Sequence, residues 1–359
     1  MNKKKNYLRF YISFLFFLIF FIKFSTTAVV ANIYKIVDIE ISESYELNFN
    51  KEKLIDIAFK IAFEELMLKI NVSYNIKRTQ YINLNTIKSL INSFSIIDEK
   101  FIDNKYIAKF EVDFDKKQVH ELLERNNIFP SIPIEKNVFI IPVLIDSEKN
   151  QISLFSENPF YFNWNSFDEN HFLLKYILPN EDLDDLNLIK KNLQNIEDYD
   201  FSEIISKYDL KDYIILIFFN DKDKLRAVSK IYLNNNLIVS NKIFSGIKNY
   251  DKNLLHDLIK ELKVFYEDEW KKINLINTSI KLPVTLSLDS KNYQLIKKFE
   301  KKLLNLDLVS NFYIEYFSSD VTIYKIIYNG SPDKFAAEFE RDNFKINTSY
   351  KIWRIEWKT

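Results

Sequence analysis

The chain has 359 residues, with 50 Lys and Arg against 50 Asp and Glu, 47% hydrophobic and 28% charged residues; it is too long for one ordinary core and too apolar to stay disordered, so two or three domains are predicted. The absence of cysteine excludes thiol catalysis, iron–sulfur ligation, cysteine-based zinc sites and disulfides. With only two glycines, Gly246 and Gly330, the dinucleotide fingerprint, the P-loop and the G-x-S-x-G nucleophile elbow are excluded as well.

Residues 1–31 open with Lys3, Lys4, Lys5 and Arg9 and continue through an apolar run from Phe10 to Ile22. They end in small residues, with acceptable cleavage points after Ala28 or Ala31. This three-part order predicts a signal peptide cleaved after Ala31 and a periplasmic or exported mature chain. The alternative is a retained inner-membrane anchor over residues 10–22, which Lys23 interrupts short of the roughly 20 residues that a span needs. Membrane contact is expected only if the segment is retained. Loss of its five basic residues leaves 45 basic against 50 acidic ones, a net charge of −5 that disfavours nucleic acid as a partner.

From Ile33, the alternation of Val37, Ile39 and Ile41 predicts a strand. Asn50 then caps a helix with Glu52 in its first turn and Ile55, Phe59, Ala62 and Leu66 on its apolar face. A short helix over Thr86–Phe94, a hairpin of Phe101–Asp103 with Tyr106–Phe114 around Asp103-Asn104, and a helix over Gln118–Arg125 complete a β-α-α-β-β-α module, residues 32–130. Pro130 and Pro133 mark a linker.

The second module, 136–276, opens with the doubly buried strand Val138–Ile145. After the irregular, aromatic stretch 146–185 come a helix at Phe201–Tyr208 and a strand at Tyr213–Phe219. A hairpin follows, Leu225–Leu233 and Leu237–Phe244, turning at Asn234-Asn235-Asn236. A long helix from Asp251 to Ile273 closes the module with Leu255, Ile259, Leu262, Tyr266, Trp270 and Ile273 on one stripe. In the third module, 278–359, Ile280, Leu282, Val284, Leu286 and Leu288 alternate, and Pro283 suits an edge strand. A helix with Leu295, Phe299 and Leu303, strands Phe312–Phe317 and Val321–Tyr328, a helix begun by Ser331-Pro332, and a strand ending at Trp357 give β-α-β-β-α-β, the ferredoxin-like order. The predicted class is α+β, three small α/β modules behind the leader.

Chemical constellations are sparse. His120, His171 and His256 lie in separate segments and read as solvated or capping residues; Glu124 stands where a zinc-protease helix needs its second histidine. The acidic run Glu181 to Asp185 lacks the alternation and glycine of a calcium loop and reads as a helix N-terminus. No catalytic, metal or cofactor residue is predicted. Asn158 to Trp164 is the candidate contact surface, through Asn158, Pro159, Phe160 and Trp164, because Trp and Tyr dominate interface hot spots, and Asp182 and Asp185 are further contact candidates; the competing reading makes Trp164 a core residue.

With these elements placed, the chain resembles a family of exported bacterial proteins known as domain of unknown function 2066. The likeness runs through Ile36-Val37-Asp38 to Leu66, Ser95-Ile96-Ile97-Asp98-Glu99, Tyr106, Val112-Asp113-Phe114 and Leu122-Leu123. It continues in Asn158-Pro159-Phe160 with Trp164, and in Pro179 to Asp185, where Glu181 replaces the family's glycine while Asp182 and Asp185 keep their places. The middle module is also similar to small α/β domains of envelope assembly proteins. The resemblance implies export and architecture but no chemistry. The expected function is a non-enzymatic envelope protein that contacts a protein partner. The alternative is a carboxylate-based hydrolase or small-molecule binder with a cleft between the first two modules.

Overall fold

The computed structural model describes residues 33–167, 169–247, 250–277, 280–340 and 342–357. The expected leader lies outside the described residues. The chain is mixed α and β, with three sheets and ten α-helices among the described residues.

The first sheet contains β1 (Lys35–Ser44), β2 (Ile91–Ile102) and β3 (Lys105–Phe114) in the order β1-β3-β2, all antiparallel. Asp38 has φ 58° and sits in a bulge between Ile36 and Ile39, so Ile36, Ile39 and Ile41 face inward. Val37, which unbroken alternation would bury, is instead 46% exposed. Helix α1 (Lys51–Ile70) covers the sheet. The Asn50 side chain accepts from the N–H groups of Glu52 and Lys53, and Ala58 and Ala62 let the helix lie close. Two short helices follow, α2 (Ser73–Thr79) and α3 (Leu84–Ser89). The predicted helix over 86–94 therefore stops at Ser89, and β2 takes the remainder because Phe94 and Ile96 pair across to Val112 and Phe110. Asp103 and Asn104, both with positive φ, make the two-residue turn into β3. Helix α4 (Lys116–Arg125), capped by Asp115, closes this core.

The second sheet is built on β4 (Lys136–Asp146), buried along nearly its whole length as the apolar run predicts. Two short strands flank one edge of β4: β5 (Gln151–Ser153) near its end and β6 (Leu174–Ile177) near its start. Between them the edge has no strand neighbour, and there Asn158 donates its side-chain amide to the Pro142 carbonyl at 3.0 Å. A residue's N–H and C=O point to the same side of a strand, so the N–H that Pro142 lacks would have had no strand to bond. Helices α5 (Pro159–Asn163), α6 (Leu183–Lys191) and α7 (Ser202–Ile205) lead to β7 (Tyr213–Asp221), parallel to β4. The antiparallel strands β8 (Lys224–Leu233) and β9 (Asn236–Ser245) follow. Helix α8 (Lys252–Ile273), capped by Asp251, packs its predicted stripe on one face, and α6 and α7 cover the other.

The third sheet has the order β11-β12-β10-β14-β13. Its strands are β10 (Leu282–Asp289), β11 (Val309–Phe317), β12 (Val321–Tyr328), β13 (Phe344–Asn347) and β14 (Trp353–Trp357), with helices α9 (Tyr293–Asn305) and α10 (Pro332–Glu340). Two expectations change here. β10 is the central strand, not an edge; Pro283 is tolerated because β14 begins to pair only at Leu286, leaving β12 as its one neighbour at that point. The single closing strand is a hairpin, whose second arm β14 runs parallel to β10.

The expected linker at Pro130–Pro133 is tied down. Ile132 N–H donates to the Asn274 carbonyl and Ile276 N–H to the Pro130 carbonyl, each at 2.8 Å, and Ser131 N–H reaches the Ile70 carbonyl at the end of α1. The connector after β3 and α4 and the connector after α8 therefore form a two-stranded clasp.

Candidate interaction edge

The hairpin of β8 and β9 turns at Asn234 and Asn235, with φ of 50° and 64°, the left-handed pair that a type I′ turn requires and that Asn tolerates. Its register runs unbroken from Leu233–Asn236 to Lys224–Ser245. A two-residue loop closes on a hydrogen-bonded pair, so even-numbered residues of β9 bond to β8, and odd-numbered residues turn their N–H and C=O outward. β9 ends the sheet. The residues with outward-facing backbone are Leu237, Val239, Asn241, Ile243 and Ser245. The three apolar ones are 62%, 62% and 66% exposed.

On its other face β9 is anchored. Ile238 and Phe244 pack on the core beneath α8, and Lys242 Nζ lies 3.1 Å from Glu261 Oε1 and over the Phe265 ring. An open groove of about 540 Å³ runs beside the strand, floored by Phe244, Ile247, Leu254 and Leu258. Lys242 is the single charge on the strand and is already neutralised.

The other described edges are guarded. β1 carries the bulge at Asp38; β2 has two bulges, at Ile91–Ser93 and Ile96–Asp98; β11 has two more. β5, β6 and β13 are only three or four residues long. Bulges, charges and shortness are how sheets avoid unwanted pairing; β9 is long and unbulged, and its one charge, Lys242, is paired with Glu261.

The residues singled out from sequence fall elsewhere. Asn158, Phe160 and Trp164 are fully buried, so these three residues of the segment expected as a contact surface turn into the core. Asn158 Oδ1 caps α5 by accepting from Phe160 N–H at 3.0 Å, Pro159 fills the first helical position, and Phe160 stacks on Phe218 with ring centroids 3.8 Å apart. Trp164 meets Tyr176 edge-on and lies against Tyr266. Phe162 is the aromatic of this segment that reaches solvent, at 71% exposure. Asp182 caps α6 by accepting from Asp184 N–H, as a helix N-terminus predicts. Lys207 Nζ sits 2.7 Å from Asp182 and 2.6 Å from the buried Asp185, which raises the lysine's pKa and lowers that of Asp182.

His120 is not solvated. It is buried on α4, and the Tyr34 hydroxyl hydrogen-bonds to its Nε2 at 2.5 Å. Burial, aided by the nearby Lys116 ammonium, pushes its pKa down to about 3, so the ring is neutral. Burial also brings His171 down to about 4, again with lysine charges assisting. His256 packs on Phe167 at the surface end of α8. Among the described residues, no group of three or more His, Asp or Glu side chains could hold a metal ion.

The seam between the first two sheets is filled by contacts. Ser73 donates its N–H and hydroxyl to Asp268 at 2.7 and 2.5 Å, and Lys271 Nζ donates to the Leu68 carbonyl at 2.6 Å, satisfying the end of α1. Glu267 accepts from the N–H groups of Leu173 and Leu174; burial raises its pKa and these donors oppose the rise. Two carboxylates do share one groove, Glu52 and Asp56, but it lies between α1 and β2, and Lys88 sits 2.6 Å from Asp56. No described helix is long and apolar enough to cross a membrane. Comparison of the sequence with known protein families and with curated proteins finds no match.

Proposed function

We propose that the chain is a non-enzymatic interaction module of the cell envelope, delivered there by the leader at residues 1–31, and that it engages protein by adding a strand along β9. We read its body as three α/β modules, 32–130, 136–276 and 278–359. In this reading the last is a ferredoxin-like split motif whose final strand has become a hairpin, and the family likeness to domain of unknown function 2066 is one of export and architecture. The observation that carries the proposal is the bare edge of β9. Ten residues in unbroken register, no unpaired charge and three exposed apolar side chains match what strand addition uses, with backbone bonds for affinity and alternate side chains for specificity. A hydrolase or small-molecule binder would need carboxylates converging in the seam between the first two modules, where backbone and side-chain contacts now sit.

The test is a photo-crosslinking residue placed at Ile243 in cells. A second version carries it at Phe162, which is equally exposed but off the edge. The proposal expects a protein adduct at position 243 that disappears with Asn241→Pro. Asn241 turns its N–H outward, so this change removes an edge donor while leaving the β8–β9 ladder whole. Absence of an adduct at 243, or its persistence in the proline variant at unchanged melting temperature, would overturn the proposal.

A further inference from the structure

We infer that the strand added to β9 is β9 of a second copy of this chain, running antiparallel about a two-fold axis through Asn241 and joining two middle sheets into one. This inference rests on the proposed use of the β9 edge and names its occupant. The argument is register. Antiparallel self-pairing keeps each residue opposite one whose number sums with its own to a constant, and that constant must be even for side chains to share a face. With Asn241 on the axis, Val239 meets the second copy's Ile243, and Ile238 meets its Phe244. Ser240 then meets Lys242, Leu237 meets Ser245, and Asn241 meets itself, amide to amide. Apolar faces apolar at Val239–Ile243 on one face and at Ile238–Phe244 on the other, Leu237 alone of the apolar residues meets a serine, and the polar residue central to the outward face finds its own copy.

Shifting the axis to Ser240 sets Val239 against Asn241 and Ile238 against Lys242. Shifting it to Lys242 sets the two lysines directly opposite each other, a like-charge pair that destabilises a sheet. One register is therefore favoured over its neighbours, as a closed, isologous dimer requires. In that register Lys242 remains paired with its own Glu261, so no unpaired charge is buried. The groove between β9 and α8 lies along the same seam, where the apolar floor of Phe244, Leu254 and Leu258 receives the second copy's edge.

The chain contains no cysteine, so single-cysteine variants report on register alone. Across a hydrogen-bonded antiparallel pair the Cα atoms stand about 5.5 Å apart, within disulfide reach. The inference expects purified protein to sediment at twice the chain mass and Asn241→Pro to sediment at the single mass. It also expects Asn241→Cys to oxidise to a covalent dimer. Val239→Cys alone should stay reduced, and Val239→Cys mixed with Ile243→Cys should crosslink. A monomeric wild-type chain, or equal crosslinking of Asn241→Cys and Val239→Cys alone, would overturn it. If the wild-type chain is monomeric while position 243 still captures a different protein in cells, this inference fails and the proposed strand-adding edge stands. If neither a dimer nor an adduct forms, both fall.

Discussion

Replacing His120 by Gln keeps an acceptor for the Tyr34 hydroxyl and removes a proton-binding ring from the interior. The unfolded chain protonates this histidine near pH 6.5, whereas burial holds the folded ring's pKa at about 3. Between those values the unfolded state binds one more proton than the folded state, so stability rises with pH and is lost as pH falls. The slope is about 1.4 kcal/mol per pH unit for each such group. His171, whose folded pKa is about 4, adds a second contribution over most of the same range. The two histidines together give the wild-type chain a slope of about 2.7 kcal/mol per unit between pH 6.5 and 4, and His120→Gln should halve it. Urea unfolding at half-unit steps from pH 7.5 to 4.5 reads the difference between the two proteins directly, because titrating carboxylates are common to both. Equal slopes, or a His120 ring resonance titrating near 6.5 in the folded protein, would refute the reasoning.

Two further changes test the roles assigned inside the second sheet. Asn158→Ala removes the cap of α5 and strands the Pro142 carbonyl, for a combined loss of about 2–3 kcal/mol in urea unfolding; a loss of capture at position 243 with stability unchanged would instead make Asn158 a contact residue. Lys207→Met leaves the Asp185 carboxylate buried without its cation and should cost about 3 kcal/mol, with part of it recovered when Asp185→Asn is added; a neutral single variant would show that the pair contributes nothing.

Most elements of this fold were legible because their periods are local. The caps Asn50 and Ser331-Pro332, the stripe of α8 and the Asn-rich turn at 234–236 needed only neighbouring residues to declare themselves. What stayed hidden depends on partners far along the chain. Alternation from Val37 to Ile41 does not reveal that Asp38 adopts positive φ, so Ile36 takes the inward place expected for Val37 while Ile39 and Ile41 keep theirs. The sequence of β10 spells a strand, but whether Pro283 lies at an edge is decided by where β14 arrives. The same holds for the candidate edge: Leu237 to Phe244 reads as a strand, yet only the order β4-β7-β8-β9 makes it the last one. The aromatic run at 158–164 left two readings open for a different reason. Large rings serve cores and contact surfaces alike, and it took the gap beside Pro142, which Asn158 fills, to turn this segment inward.

The clasp formed by residues 130–132 with 274–276 has a mechanical consequence. Because the chain leaves for the middle sheet and returns from it at the same place, tension between the first and third sheets can pass through the clasp and through the Lys116 contacts with Leu306 and Asp307 without running along the backbone of the middle sheet.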